Sequence, residues 1–84
     1  MMVIQVLYFA WVRERIGIPK EDIVTNAGTV MELVSELKQK DERYALAFSD
    51  LSSIRVALDL ELADFETSIS GIKEVAFFPP MTGG

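Results

Sequence analysis

The two most apolar stretches of this chain stand near its opposite ends, and that placement constrains the fold more than any other feature. Met2 to Phe9 reads MVIQVLYF, and Glu74 to Phe78 reads EVAFF. Each is too short for an isolated helix, and Val, Ile, Tyr and Phe favour strands. A strand that is apolar at nearly every position is covered on both faces, so the first run predicts a central strand. In a chain of 84 residues the two runs are expected to lie side by side in the middle of one sheet. They would then run parallel, linked by a crossover that carries a helix.

The intervening sequence supplies that crossover. Trp11 to Ile16 reads as a helical turn, ended by Gly17 with Pro19 just beyond. Glu21 to Asn26 can form a second strand, and Asn26-Ala27-Gly28 is turn chemistry. Thr29 stands three residues before Glu32, the spacing of a capping box. Val30, Leu33, Val34 and Leu37 then recur at helical spacing. This predicts an amphipathic helix from Val30 to about Gln39, with Glu36 and Lys40 paired on its wet side. Asp41 to Phe48 is expected to continue as a short helical segment with Asp41 as a fresh cap.

Ile54, Val56, Leu58, Leu60 and Leu62 alternate with Arg55, Ala57, Asp59 and Glu61. That period of two predicts one strand, or two with a tight turn near Asp59, with one face buried. Ser68 to Gly71 is a turn, and Pro79-Pro80 ends the last strand because proline donates nothing to a ladder. The expected architecture is α+β: a β-grasp (ubiquitin-like) arrangement with one main helix packed across a mixed sheet. Residues 1–80 are expected to form this domain, with 81–84 as a flexible Gly-Gly tail.

Composition removes most chemistries. Cysteine and histidine are both absent. Disulfides, thiol nucleophiles, Cys/His zinc sites and Ser-His-Asp arrangements are therefore excluded, and no metal site is expected. Glycine-rich phosphate loops are missing. The net charge of −5 is the wrong sign for nucleic acid or an anionic membrane surface, so neither is expected as a partner. The N-terminal apolar run has no preceding base, Arg13 being the first, and no run approaches the roughly 18 residues that span a bilayer. The expected location is the cytoplasm.

Side-chain candidates for chemistry are weak. Asp59, Glu61 and Asp64 could hold a cation, yet a solvated strand face already accounts for them. Arg13-Glu14-Arg15 reads as exposed helical charge, and Tyr44 and Trp11 as core filler at helix–sheet junctions. The C-terminus is different. Phe77 to Gly84 reads FFPPMTGG. Gly83 and Gly84 lack Cβ atoms, so such a tail can pass down a narrow tunnel in a partner. Pro79-Pro80 favours extended geometry and projects the tail outward. Phe77 and Phe78 fall on alternate faces, one for the core and one to anchor a partner.

These residues resemble a known family, the ubiquitin-like sulfur carriers that form the small subunit of molybdopterin synthase. Phe9-Ala10, Val12-Arg13-Glu14 and Gly17 resemble its FA-x-VRE-x-x-G segment, and Tyr44-Ala45-Leu46-Ala47 its aromatic-ALA stretch. Glu74 to Gly84 (EVAFFPPMTGG) is nearly the family's tail. The chain departs from the family at Ser70-Gly71-Ile72-Lys73, where Asp-Gly-Asp is usual, and at Val56-Ala57-Leu58-Asp59, where AVN is usual.

The resemblance implies a chain with no catalysis of its own. Gly84 would be adenylated by an E1-like activating partner that spends ATP. A sulfur donor would then convert it to a thiocarboxylate. Met81, Thr82, Gly83 and Gly84 would enter the large subunit of a heterotetramer, and Phe77, Phe78, Pro79 and Pro80 would form the partner interface. Sulfur would pass to a cyclic pyranopterin phosphate on the way to a molybdenum or tungsten cofactor, and no cofactor would be bound by this chain. The alternatives are a thiamine-type sulfur carrier and a ubiquitin-like covalent protein modifier, which share the fold and the terminal Gly-Gly.

Overall fold

Strand β1 (Met2–Tyr8) buries Ile4, Val6 and Tyr8 on one face and turns Val3, Gln5 and Leu7 to the other. The computed structural model describes residues 2–80 and continues through α1 (Ala10–Ile16), β2 (Lys20–Thr25), α2 (Val30–Lys40) and α3 (Glu42–Ala47). A 3-10 turn at Leu51–Ser53 leads into β3 (Arg55–Leu58), β4 (Glu61–Ala63) and β5 (Glu74–Phe78). The strands form one sheet in the order β2-β1-β5-β3-β4. The two apolar end strands pair in parallel at its centre, with Val6 opposite Val75 and Tyr8 opposite Phe77. The flanking pairs are antiparallel. This is the β-grasp order that the terminal strands require.

The helices cover one face only. Val30, Leu33, Val34 and Leu37 of α2 are buried against it, each contributing roughly 1.5–3 kcal/mol by leaving water. The rings of Tyr8, Phe48 and Phe77 meet beneath them, Phe48 edge-on to Phe77 at 4.9 Å and Tyr8 stacked on it at 6.3 Å between centroids. The Thr29 hydroxyl caps α2 by accepting from the Glu32 N–H at 3.2 Å. The Glu32 carboxylate reaches back past the cap to the N–H of Gly28 at 2.6 Å. Asp41 caps α3 by accepting from the Arg43 N–H, and Gly17 ends α1 at φ +97°.

Three expectations are corrected. Glu36 and Lys40 do not pair with each other: the Glu36 carboxylate accepts from the buried Thr25 hydroxyl, and Lys40 Nζ reaches Glu21 at 3.0 Å. Tertiary partners outcompete an exposed i,i+4 pair because they are held in place by packing. Leu60 and Leu62 do not continue the buried face of Ile54, Val56 and Leu58; they are 87% and 77% exposed. The chain reverses at Asp59-Leu60, and Leu62 comes opposite Ala57, so it inherits the outward face of Ala57. Asp59 and Glu61 therefore do not share a strand face. Asp59 is a turn residue whose carboxylate accepts from the N–H groups of Lys73 at 3.1 Å and Glu74 at 2.9 Å.

That turn is unusual. Asp59 and Leu60 both have positive φ, +49° and +75°, as a two-residue type I′ hairpin demands. A leucine in this region costs of order 1–2 kcal/mol that glycine would not incur.

One carboxylate ties four elements together. Glu21 on β2 accepts from the hydroxyls of Tyr8 on β1, at 2.8 Å, and Tyr44 on α3, at 2.6 Å, and from Lys40 on α2. Partial burial works to raise the Glu21 carboxyl, but these donors and the Lys40 charge outweigh it and hold it below its ordinary value. Burial and the hydrogen bond to Glu21 push Tyr44 up to about 12 and raise Tyr8 further. Glu21→Ala strands two tyrosine hydroxyls and is expected to cost about 1–3 kcal/mol, measured by urea unfolding at neutral pH. Because the folded carboxyl is depressed, its contribution is complete above the unfolded value, about 4.3, and is lost as pH falls through the lower folded value. The stability gap between wild type and variant is therefore expected to narrow on acidification below pH of about 4.

Candidate functional site

Among the described residues, no helix covers the face of the sheet opposite α1, α2 and α3. The register sets Leu7, Ala76, Ala57 and Leu62 in one cross-strand row on it, through β1, β5, β3 and β4. Phe78 stands one pleat further along β5, on the same face. Phe9 joins it because Ala10, at φ +52°, turns the chain sharply from β1 into α1. The Phe9 N–H donates to the Phe77 carbonyl at 3.0 Å, which fixes that corner to β5. The result is an open, mainly apolar groove of ≈ 660 Å³ lined by Leu7, Phe9, Leu60, Glu74, Ala76, Phe78 and Pro79.

The sequence candidates separate cleanly here. Phe77 is wholly buried, and Phe78 is half-buried on the outer face. The alternation expected for the two rings therefore places Phe77 in the core, and its membership of a partner interface is corrected: a strand residue cannot face both sides. Phe78 and Pro79 line the groove, while Pro80 is half-buried beside it in sequence without lining it. Met81, Thr82, Gly83 and Gly84 lie outside the described residues.

Sequence reasoning missed Leu7, Phe9, Leu60, Leu62 and Ala76 as members of one surface. A signal was present in MVIQVLYF, which is apolar on both faces although the described residues pack a core against only one. Contiguous exposed apolar surface of this kind marks an interaction site.

Among the described residues that line the groove, Glu74 is the one ionisable side chain. Among the described residues, the displaced titratable groups are Tyr8, Glu21 and Tyr44, already accounted for, with Asp41 and Asp50. The Arg43 N–H and side chain hold the Asp41 carboxyl below its ordinary value. Hydrogen bonds from Ser52 and Ser53 do the same for Asp50. All five serve caps or the core, and none lines the groove. Arg13-Glu14-Arg15 is exposed on α1, where the Arg15 guanidinium lies 5.3 Å from the centre of the Trp11 ring. Tyr44 is a core residue, as its register at a helix–sheet junction predicts. Among the described residues no cluster of carboxylates is placed to hold a metal ion, and no helix is long and apolar enough to cross a membrane.

The two rings predict opposite phenotypes. Phe77→Ala is expected to cost about 3–5 kcal/mol of stability by opening a cavity under Phe48 and Tyr8. Phe78→Ala is expected to cost about 1 kcal/mol or less and to weaken binding to whatever covers the outer face. Denaturant unfolding and titration calorimetry distinguish them.

Comparison with known proteins agrees with this arrangement. The sequence model of the ThiS family matches residues 6–84. The molybdopterin synthase sulfur carrier subunit of Escherichia coli (strain K12) is 37% identical over 81 residues, covering 96% of this chain and 99% of that one. Its counterpart in Haemophilus influenzae is 35% identical over the same coverage. Among solved structures, SAMP1 from Haloferax volcanii superposes with a TM-score of 0.74 at 20% identity, covering 99% of this chain and all of that one (100%). The protein–protein complex of subunits 1 and 2 of the molybdopterin-converting factor from Helicobacter pylori contains a chain that matches with a TM-score of 0.63 at 24% identity, covering 99% of this chain and 100% of that one. With a β-grasp sheet, an uncovered apolar face and relatives this similar over nearly its whole length, the chain belongs to the ThiS family, beside the molybdopterin synthase sulfur carrier subunits.

Proposed function

We propose that this chain is the sulfur-carrying small subunit of a molybdopterin synthase and that Gly84 is its working residue. One observation carries the reading: β5 delivers Phe78 and Pro79 onto an exposed apolar face, and the sequence runs from there directly into Met81-Thr82-Gly83-Gly84. Docking the face and reading the tail are then two parts of one binding event.

The chemistry follows from the carboxylate. A carboxylate is a poor electrophile because its leaving group would be oxide. An E1-like adenylating partner overcomes this with ATP: a Gly84 carboxylate oxygen attacks the α-phosphorus and pyrophosphate leaves. A hydrosulfide-level donor then attacks the acyl carbon and AMP leaves, forming the thiocarboxylate. The large subunit receives residues 81–84 in a narrow passage, where glycines admit backbone angles closed to other residues. The thiocarboxylate sulfur attacks a side-chain carbon of a cyclic pyranopterin phosphate bound there and displaces an oxygen substituent. Water then cleaves the acyl carbon–sulfur bond of the resulting thioester, leaving sulfur on the pterin and returning the Gly84 carboxylate. This chain contributes a shape, a docking face and a terminus; general acids and bases belong to the partner. Its charge of −5 favours encounter with basic surfaces around the partner's active site.

Incubation with ATP, the activating enzyme and sulfide is expected to raise the intact mass of the chain by the replacement of one oxygen with sulfur. Deleting Gly84 is expected to abolish that shift and all sulfur delivery while leaving the melting curve unchanged. A truncated chain that still supports cofactor synthesis would overturn the proposal.

A further inference from the structure

Leu60 is the most exposed of the large apolar side chains around the groove, at 87%. The β3–β4 hairpin needs two residues at positive φ, and Asn-Gly would supply them without strain. Leucine is disfavoured there, and its side chain gains nothing from the core: it is 87% exposed and takes no part in the buried cluster. The turn is nevertheless held firmly. The Asp59 carboxylate accepts from the N–H groups of Lys73 and Glu74 at 3.1 and 2.9 Å, and the Asp59 N–H donates to the Glu74 carbonyl at 3.0 Å. A strained backbone, over-determined by its neighbours and carrying an exposed apolar side chain, is the pattern of a binding element.

We infer that Leu60 is a second anchor for the large subunit, inserted into an apolar socket sized for one aliphatic side chain. The inference rests on the reading that the outer face of the sheet docks that subunit. Leu60 and Glu74 mark the start of β5 in the groove, and Phe78 and Pro79 mark its end. Four strand steps separate Glu74 from Phe78, about 13 Å. The occupant is specified by the tail: from Pro79 to Gly84 the chain spans at most about 20 Å, so a protein that takes the tail sits within reach of this face. An anchor at Phe78 alone leaves that protein free to rotate about the tail. A rigid anchor at the far end of β5 removes the freedom, and its entropy was already surrendered on folding.

The test uses the full chain and the large subunit from the same organism, with titration calorimetry and thermal melting on each variant. Leu60→Gly and Leu60→Asn both suit the positive φ. Each is expected to raise the Kd about tenfold or more with a melting temperature no lower than wild type. Leu60→Met keeps the apolar reach and is expected to bind within about twofold of wild type. Phe78→Ala is the control. Leu60→Gly binding like wild type while Phe78→Ala binds weakly overturns the role of Leu60 and leaves the docking face standing. If both bind like wild type, the docking face falls and Leu60 with it. A melting temperature lowered in both the glycine and asparagine variants identifies Leu60 as a fold support and overturns the inference.

Discussion

The parallel pairing of β1 with β5 is the constraint on which the rest of the molecule depends. It joins segments near the two ends of the sequence, so no local contact can stand in for it and every intervening element must close the loop between them. Once it forms, Tyr8 and Phe77 are opposite each other in the core, and Leu7 and Ala76 are opposite each other on the outer face. Helices α1, α2 and α3 then have one apolar surface to cover, and the Glu21 carboxylate can gather its donors from four elements. The antiparallel neighbours only widen a sheet whose centre is already fixed.

The same pairing links stability to function. A strand separates its side chains by parity, and β5 uses that parity fully: Val75 and Phe77 go to the core, while Ala76 and Phe78 go to the groove. A slip of one residue would exchange the two sets, exposing Phe77 and burying Phe78 among the helices. Such a slip is opposed from both sides, by β1 and by β3, and by Asp59 gripping the N–H groups where β5 begins. The shape of the outer face is therefore set by core packing together with the hydrogen bonds at its two ends, from Lys73 and Glu74 to Asp59 and from Phe9 to Phe77.

Much of this was legible in the sequence because it is encoded locally. The capping box at Thr29, the periodicity of α2, the cap at Asp41, the glycine stop at Gly17 and the diproline after β5 each rest on residues a few positions apart. The central parallel pair was legible too, from the two most apolar runs of the chain, although the expected cover on both faces of β1 is not found: Val3 is exposed and Leu7 lines the outer groove. Two features were not. One is the facing of Leu60 and Leu62: a tight turn near Asp59 was one of the two readings, but without an Asn-Gly signature the alternation was carried across it and set both leucines on the buried face. The Glu21 network joins residues 8, 21, 40 and 44 across the fold, and no spacing rule connects them. The outer groove was half legible: Phe78 and Pro79 announced themselves beside the tail, but the leucines opposite them come together only through the register.

An exposed apolar face is also a hazard, since any apolar surface can cover it. The molecule limits that promiscuity at its edges and in its charge. β4 is only three residues long and β2 presents Lys20, Glu21 and Asp22, so neither edge offers a long apolar template for another strand. The charge of −5 makes two copies repel each other. What remains attractive to the face is a surface complementary in shape to the groove and tolerant of negative charge. Rigid features discriminate among such surfaces better than soft ones, because a mismatched partner cannot be accommodated by a turn that is locked. Strain at Leu60 and the firm hold of Asp59 thus belong together: the first places an apolar side chain where the fold does not require one, and the second keeps it from folding away.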